Sequence, residues 1–197
     1  MIPTLVVLSF CADDSQKAEN LLDFIFALNG KKSSGHILLV AANGVHAEPK
    51  ERIKISAQLA FETMEIIELP AFEGDKVKKI GGAFKVVASH IYFNYRCNFI
   101  WLEPDCTPTT PKYLTRLLAL YDNQIKRFLG GYRVAIFPND SHNMVGRPMD
   151  FALTRTDAIQ EIAINSESDL PKVSKEALLV HGDKSQILLN SLRSKLK

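Results

Sequence analysis

The chain alternates between short apolar runs and longer segments in which apolar residues recur every three or four positions. Apolar or β-branched runs bounded by turn-forming residues predict strands at residues 4–10, 36–42, 64–69 and 99–102. Helical spacing predicts helices at residues 15–29, 49–61, 83–95 and 111–125. Strands that alternate with helices in this order predict a parallel sheet covered by helices on its two faces.

The remaining segments carry weaker patterns. Residues 70–82 are predicted to be a polar loop, and residues 107–111 a proline-punctuated loop. Residues 128–137, with two glycines inside, predict one interrupted strand, and residues 177–180 predict a short apolar strand. We find no internal repeat and no domain linker, so residues 1–197 are expected to form a single domain.

The fourth predicted strand ends in two carboxylates, Glu103 and Asp105, separated by Pro104. Carboxylates at the end of a buried strand are costly unless a cation meets them. Because ligands of parallel sheets lie beyond the carboxyl ends of the strands, Asp13, Asp14 and Asn43 are expected at the same edge. A solvated acidic turn is the alternative interpretation of Glu103 and Asp105.

Composition narrows the class of protein. The 197 residues are 46% hydrophobic and 23% charged, which is ordinary for a globular protein, and the net charge of +2 does not demand a polyanionic partner. Three cysteines lack CxxC spacing and predict reduced thiols in a cytoplasm. We predict neither a signal peptide nor a membrane span, and therefore a cytoplasmic protein.

Three further features suggest contact with a divalent cation or a phosphate. His181 follows the short apolar strand, and carboxylates with one imidazole suit Mn²⁺ or Mg²⁺. Lys184 lies three residues later and Lys85 lies near the start of a predicted helix, where either can meet a phosphate. Gly81-Gly82, placed before that helix, would let backbone amides approach a phosphate.

The segment Trp101-Leu102-Glu103-Pro104-Asp105-Cys106, with Pro108, resembles the DxD region of GT-A glycosyltransferases in an ExD form found in small phage and bacterial members. The similarity continues into Phe128-Leu129-Gly130-Gly131, and His181-Gly182-x-Lys184 is similar to the terminal histidine-glycine-lysine segment of many GT-A enzymes. The resemblance implies an α/β, Rossmann-like three-layer α/β/α sandwich with a mostly parallel central sheet.

The resemblance also implies a nucleotide-diphosphate sugar donor and Mn²⁺ or Mg²⁺. It implies that Asp105 binds the metal, that Glu103 contacts the ribose or a metal-bound water, and that His181 is a further metal ligand. The diphosphate would be held by Lys184, the donor would face Lys85, and the nucleobase would lie at the exit of the first strand, which includes Phe10, Cys11 and Asp13.

The acceptor and the catalytic base are less defined. An inverting enzyme needs a carboxylate base, and the candidates are Asp150, Asp157 and Asp169, with Asp150 ranked first; a retaining enzyme needs none. A UDP-sugar is the favoured donor. Glu103-Pro104-Asp105-Cys106 resembles phage enzymes that modify hydroxymethylated pyrimidines in DNA, and this resemblance implies such an acceptor and a host cytoplasm. The alternatives are a glycan or lipid-linked acceptor, a sugar-nucleotide nucleotidyltransferase, and a non-catalytic nucleotide-binding domain.

Overall fold

The computed structural model describes residues 4–74, 76–122, 129–130, 134–137 and 179–180. The strands are β1 (Thr4–Cys11), β2 (Ser33–Asn43), β3 (Phe61–Leu69), β4 (Phe99–Leu102), β5 (Thr107–Pro108), β6 (Leu129–Gly130), β7 (Val134–Phe137) and β8 (Leu179–Val180). The helices are α1 (Ser15–Asn29), α2 (Ala47–Ala60), α3 (Lys76–Asn94) and α4 (Tyr113–Asp122).

Six of these strands form one sheet in the order β3-β2-β1-β4-β7-β6. The first four strands of that order are mutually parallel, whereas β7 runs antiparallel to β4, and β6 antiparallel to β7. The predicted mostly parallel α/β sheet is therefore confirmed. The connections between the parallel strands are the helical crossovers that such sheets require.

Alternate residues of β1 enter two different cores, one on each face of the sheet. Val6 and Leu8 pack in a cluster with residues of α1, α2 and α4, and Leu5 and Val7 pack in a cluster with residues of α3. Because successive side chains of a strand point to opposite faces, one apolar run supplies both cores. The result is the predicted three-layer α/β/α arrangement.

The first helix has the predicted bounds, and a glycine closes its end. Gly30 closes α1 with a left-handed φ of 66°, which glycine adopts without the steric cost of a Cβ, and its N–H donates to the Phe26 carbonyl. At the other end, Asp14 occupies the N-cap position without a side-chain capping hydrogen bond. The Ser15 hydroxyl donates to the Ala12 carbonyl, so neither Asp14 nor Ser15 caps the helix with its side chain.

Three loop and strand predictions are wrong. The helix α3 begins at Lys76, within the segment 70–82 that was predicted to be a loop, because glycines and a lysine-rich first turn hide its apolar stripe from the pattern. Residues 107–111 contain the short strand β5, which pairs with β8. The segment 128–137 contains two antiparallel strands, β6 and β7, rather than one.

Within the described residues, no helix is long and apolar enough to cross a membrane.

Candidate active site

The parallel register brings four strand ends to one edge of the sheet. Cys11 pairs with Asn43, and Asn43 pairs with Leu69, while Leu8 pairs with Leu102 at the end of β4. A cavity of about 700 Å³ opens at this edge, between the segments that follow the four strands. Its size lies within the range of small-molecule binding sites. The described residues that line it are Ser9, Phe10, Cys11, Ala12, Asp13, Asp14, Lys17, Asn43, Gly44, Ala71, Phe72, Lys79, Ala83, Trp101, Glu103, Pro104 and Asp105.

The acidic pair occupies a tight turn directly after β4. The Cys106 N–H donates to the Glu103 carbonyl across 3.0 Å, which places Pro104 and Asp105 at the two central positions of the turn. Proline favours the first of these positions because its ring presets the backbone angle. Pro104 and Cys106 are buried, whereas Glu103 and Asp105 are half-buried and line the cavity. The turn therefore holds Pro104 and Cys106 in the interior and places the carboxylates of Glu103 and Asp105 at the cavity.

The exit of β1 supplies a second set of polar groups. Asp13 is exposed on the single 3-10 turn of residues 12–14, and Asp14 follows it. Lys17 Nζ lies 3.3 Å from Asp14 Oδ1, and the Cys11 thiol donates to Asp14 Oδ2 across 3.5 Å. The co-location of Asp13 and Asp14 with Glu103 and Asp105, predicted from the sheet rule alone, is confirmed by the shared cavity.

The helix α3 forms another wall of the cavity, and two predictions about its residues are wrong. Gly81 and Gly82 lie inside α3 and not ahead of it, so their amides take part in the helix and are not presented to a phosphate. Lys85 lies in the middle of α3, is exposed, and is not among the residues that line the cavity. Lys79, in the first turns of the same helix, does line it. The prediction that Lys85 lies near the helix start was wrong because the helix begins seven residues earlier than its apolar stripe indicates.

Sequence reasoning missed Lys17, Lys79, Phe72 and Trp101 as cavity residues. Lys17 follows Asp14 by three positions at the start of a predicted helix, and this spacing predicts an ion pair between the two side chains. Phe72 carried no such signal, because its position depends on how residues 70–74 fold back against α3. Gly74 permits that fold with a φ of 103°.

Five predicted site residues lie outside the described residues: Asp150, Asp157, Asp169, His181 and Lys184. The strand that precedes His181 is described, however. Val180 pairs with Thr107, two residues after Asp105, in the antiparallel pair of β8 and β5. This backbone pairing joins the segment before His181 to the segment after the acidic turn.

The donor set of the acidic turn fits Mg²⁺ or Mn²⁺. Oδ1 of Asp105 is excluded from solvent, where a carboxylate oxygen gains most from a cation. No group of three His, Cys, Asp or Glu side chains that could hold a metal occurs within the described ranges. Two carboxylates are nevertheless sufficient for Mg²⁺, which commonly takes one or two from the protein and the rest from water and substrate phosphates.

Within the described part of the chain, four side chains away from the cavity have shifted pKa values. Burial raises the pKa of the Cys97 thiol and of the Tyr113 hydroxyl, and burial lowers the pKa of His36. Burial, followed by a hydrogen bond to Glu65, raises the pKa of Tyr95 to about 12. None of these four residues lines the cavity in the described part of the chain.

No protein-family model matches the sequence, and no curated protein matches it either. Solved structures do. A mannosyltransferase from Pyrobaculum calidifontis, in complex with GDP-Man and Mn²⁺, is 12% identical over 76% of this chain and 49% of its own, with a TM-score of 0.55. The glycosyltransferase GlyE of Streptococcus pneumoniae is 11% identical over 72% of this chain and 35% of its own, with a TM-score of 0.47. The glucosyl-3-phosphoglycerate synthase of M. tuberculosis is 16% identical over 66% of this chain and 44% of its own, with a TM-score of 0.45.

The similarity to the mannosyltransferase shows the fold. The sheet of four parallel strands with antiparallel additions and helices on both faces is a GT-A-type, Rossmann-like fold, as the sequence predicted. The chain spans about half the length of that mannosyltransferase and about a third of GlyE.

Proposed function

We propose that this chain is a metal-dependent glycosyltransferase domain that takes a nucleotide-diphosphate sugar as its donor. The observation that carries the proposal is the acidic turn, Glu103 to Cys106, whose carboxylates line the cavity at the carboxyl edge of a GT-A-type sheet. The mannosyltransferase of similar fold was solved with a donor of this class and with Mn²⁺. We extend the same proposal to residues 1–197 as a single domain.

Asp105 is the first metal ligand in this proposal. Glu103 supplies a second carboxylate near the metal or contacts the ribose. These two residues would hold a divalent cation, which would supply Lewis-acid stabilisation for the charge that the diphosphate leaving group gains. Lys79 and Lys17 line the same cavity and supply positive charge near that leaving group. In this proposal Lys79 takes the donor-facing role that the resemblance implied for Lys85.

His181 and Lys184 remain part of the proposal as the third ligand and a diphosphate contact. The pairing of Val180 with Thr107 supports His181, because it joins the preceding strand to the chain two residues beyond Asp105. Phe10, Cys11 and Asp13 contact the nucleoside in this proposal, since all three line the cavity at the exit of β1. Asp150 is proposed as the base toward the acceptor hydroxyl of an inverting reaction, with Asp169 as the second candidate.

The donor nucleotide and the acceptor are proposed from the sequence alone. A UDP-sugar is the favoured donor, although the mannosyltransferase of similar fold binds GDP-Man. A hydroxymethylated pyrimidine in phage DNA is the favoured acceptor. Binding to DNA would weaken steeply with added salt, because counterions released from the phosphates drive it. An affinity independent of salt would refute the DNA acceptor and leave the donor chemistry standing.

The decisive experiment compares three proteins: wild type, Asp105→Asn, and Glu62→Gln. The control variant removes a carboxylate from an exposed position on β3 that does not line the cavity. Each protein is incubated with Mn²⁺, a panel of UDP- and GDP-sugars, and hydroxymethylated DNA, and products are followed by mass spectrometry. Wild type and Glu62→Gln are expected to hydrolyse or transfer from at least one donor.

Asp105→Asn should lose at least about 100-fold of that activity, since it removes the charge that holds the cation, an effect of the order measured for other lost electrostatic groups in active sites. Donor turnover by Asp105→Asn equal to wild type would refute the assigned role of Asp105. Absence of both binding and turnover of every UDP- and GDP-sugar by wild type would refute the proposed function itself.

A further inference from the structure

We propose that Phe72 is a stacking residue for the base of the nucleotide donor, and that Gly82 is a positioning residue that seats the Phe72 ring at the cavity. This inference rests on the proposed function, because it names a contact of the same donor. It concerns a segment after β3 that neither the sequence pattern nor the comparisons assign to the site.

The contact between Phe72 and α3 requires a glycine at position 82. A Cβ on residue 82 would lie 2.5 Å from Cδ1 and 2.8 Å from Cε1 of Phe72, well inside the closest approach of carbon atoms. One edge of the ring therefore rests directly on the helix backbone. A Cβ on the neighbouring Gly81 would meet no atom within 4 Å. The two adjacent glycines thus differ in their surroundings, and of the two only Gly82 contacts the ring.

The Phe72 ring is part of the cavity and is not completely buried. Phe72 is half-buried and packs against the α3-side core, to which Ala83 and Trp101 also belong. All three residues line the cavity, so this side of it is an apolar, largely aromatic wall. The indole Nε1–H of Trp101 is a buried donor with no acceptor among the residues that the structure describes.

The distribution of charge around the cavity suggests which part of a donor this wall contacts. Among the described residues, four carboxylates and two lysines line the cavity: Asp13, Asp14, Glu103, Asp105, Lys17 and Lys79. Glu103 and Asp105 match a cation, whereas Lys79, together with Lys17 in its ion pair with Asp14, matches a diphosphate. The planar, uncharged part of such a donor is its base, and aromatic side chains stack on bases of every kind because each base has a π-face. The wall is therefore expected to contribute affinity for the nucleotide without choosing between uracil and guanine.

The test uses five proteins: wild type, Phe72→Ala, Phe72→Tyr, Gly82→Ala and Gly81→Ala. The last two variants add the same methyl group at adjacent helical positions and raise helix propensity by the same amount, about 1 kcal/mol, so they are a matched pair. Affinities for UDP, GDP and inorganic pyrophosphate are measured with Mn²⁺ present. The readout is the fluorescence of Trp101, the only tryptophan, which lies in the same wall, with calorimetry as a second method.

We expect Phe72→Ala and Gly82→Ala to weaken UDP and GDP binding about tenfold or more, the usual effect of losing one base-stacking ring. Pyrophosphate has no base, so its affinity should stay within twofold of wild type in every variant. Phe72→Tyr keeps the ring and should bind nucleotides as wild type does, and Gly81→Ala should do the same.

Equal nucleotide affinity in wild type and Phe72→Ala would overturn the stacking role while leaving the proposed function intact. Weaker nucleotide binding by Gly82→Ala together with unchanged binding by Phe72→Ala would overturn the positioning role of Gly82. A parallel loss of pyrophosphate affinity in both variants would show a general collapse of the cavity and would also overturn the inference. If wild type binds neither UDP nor GDP, the proposed function fails and this inference fails with it.

Discussion

The buried hydroxyl of Tyr113 offers a test of the packing beneath the candidate site. Tyr113 is 0% exposed and lies in the core with Cys106, the last residue of the acidic turn. Within the described residues, its hydroxyl has no hydrogen-bond partner. A buried polar group without a partner costs about 1 to 3 kcal/mol, and Tyr113→Phe removes it while keeping the ring.

We therefore expect Tyr113→Phe to raise the free energy of unfolding by about 1 kcal/mol. We take the lower end of the range because the surrounding side chains can only partly fill the space that the hydroxyl leaves. For a chain of this size the change corresponds to about 2 to 4 °C in the midpoint of thermal unfolding. Urea unfolding followed by Trp101 fluorescence measures it directly, and the slope with urea should not change.

The control is Tyr95→Phe, which also removes one tyrosine hydroxyl. The Tyr95 hydroxyl donates to the Glu65 carboxylate, so this variant should be destabilised where Tyr113→Phe is stabilised. A loss of stability greater than 1 kcal/mol in Tyr113→Phe would refute the reasoning, since it would show that the Tyr113 hydroxyl is bonded in the folded protein.

Two further predictions concern pH and backbone geometry. Because the folded-state pKa of Tyr95 is raised to about 12, its contribution to stability is complete below pH 10 and is lost as the pH rises through about 12, so the stability difference between wild type and Tyr95→Phe should shrink across that window. A difference that stays constant from pH 9 to pH 12 would contradict the raised pKa. Gly30→Ala should lower the free energy of unfolding by about 1 to 2 kcal/mol, because the left-handed φ of 66° is unfavourable for alanine although its Cβ would meet nothing within 4 Å. Chemical denaturation measures this cost, and an unchanged midpoint would show that the end of α1 relaxes freely.

Much of the sheet was readable from the sequence because its strands are buried on both faces. The runs that became β1 and β4 are almost wholly apolar, and their central residues, such as Val7 and Ile100, are 0% exposed. Continuous apolar runs between turn-forming residues are typical of parallel strands. The order of strands and helices then placed Asp13 and Asp105 at one edge, which the cavity confirms.

The short strands and the start of α3 could not be predicted from the sequence. The two-residue strand β5 exists only because β8 pairs with it, and a stretch of two residues carries no periodicity. The strands β6 and β7 were predicted as one because a hairpin and an interrupted strand share the same apolar residues and glycines. The start of α3 at Lys76 was hidden by residues of low helix propensity, which tertiary packing overrides.

The sequence by itself determined the class of fold and the acidic end of the central strand. Both follow from the pattern of residues along the chain and from the order of its strands and helices. Only the tertiary structure decided which side chains surround the cavity. Lys79 lines the cavity and Lys85 does not, because α3 begins at Lys76. The position of Phe72 follows from its contact with Gly82. Such contacts depend on how distant segments pack, and a single methyl group at position 82 is enough to force the Phe72 ring to shift.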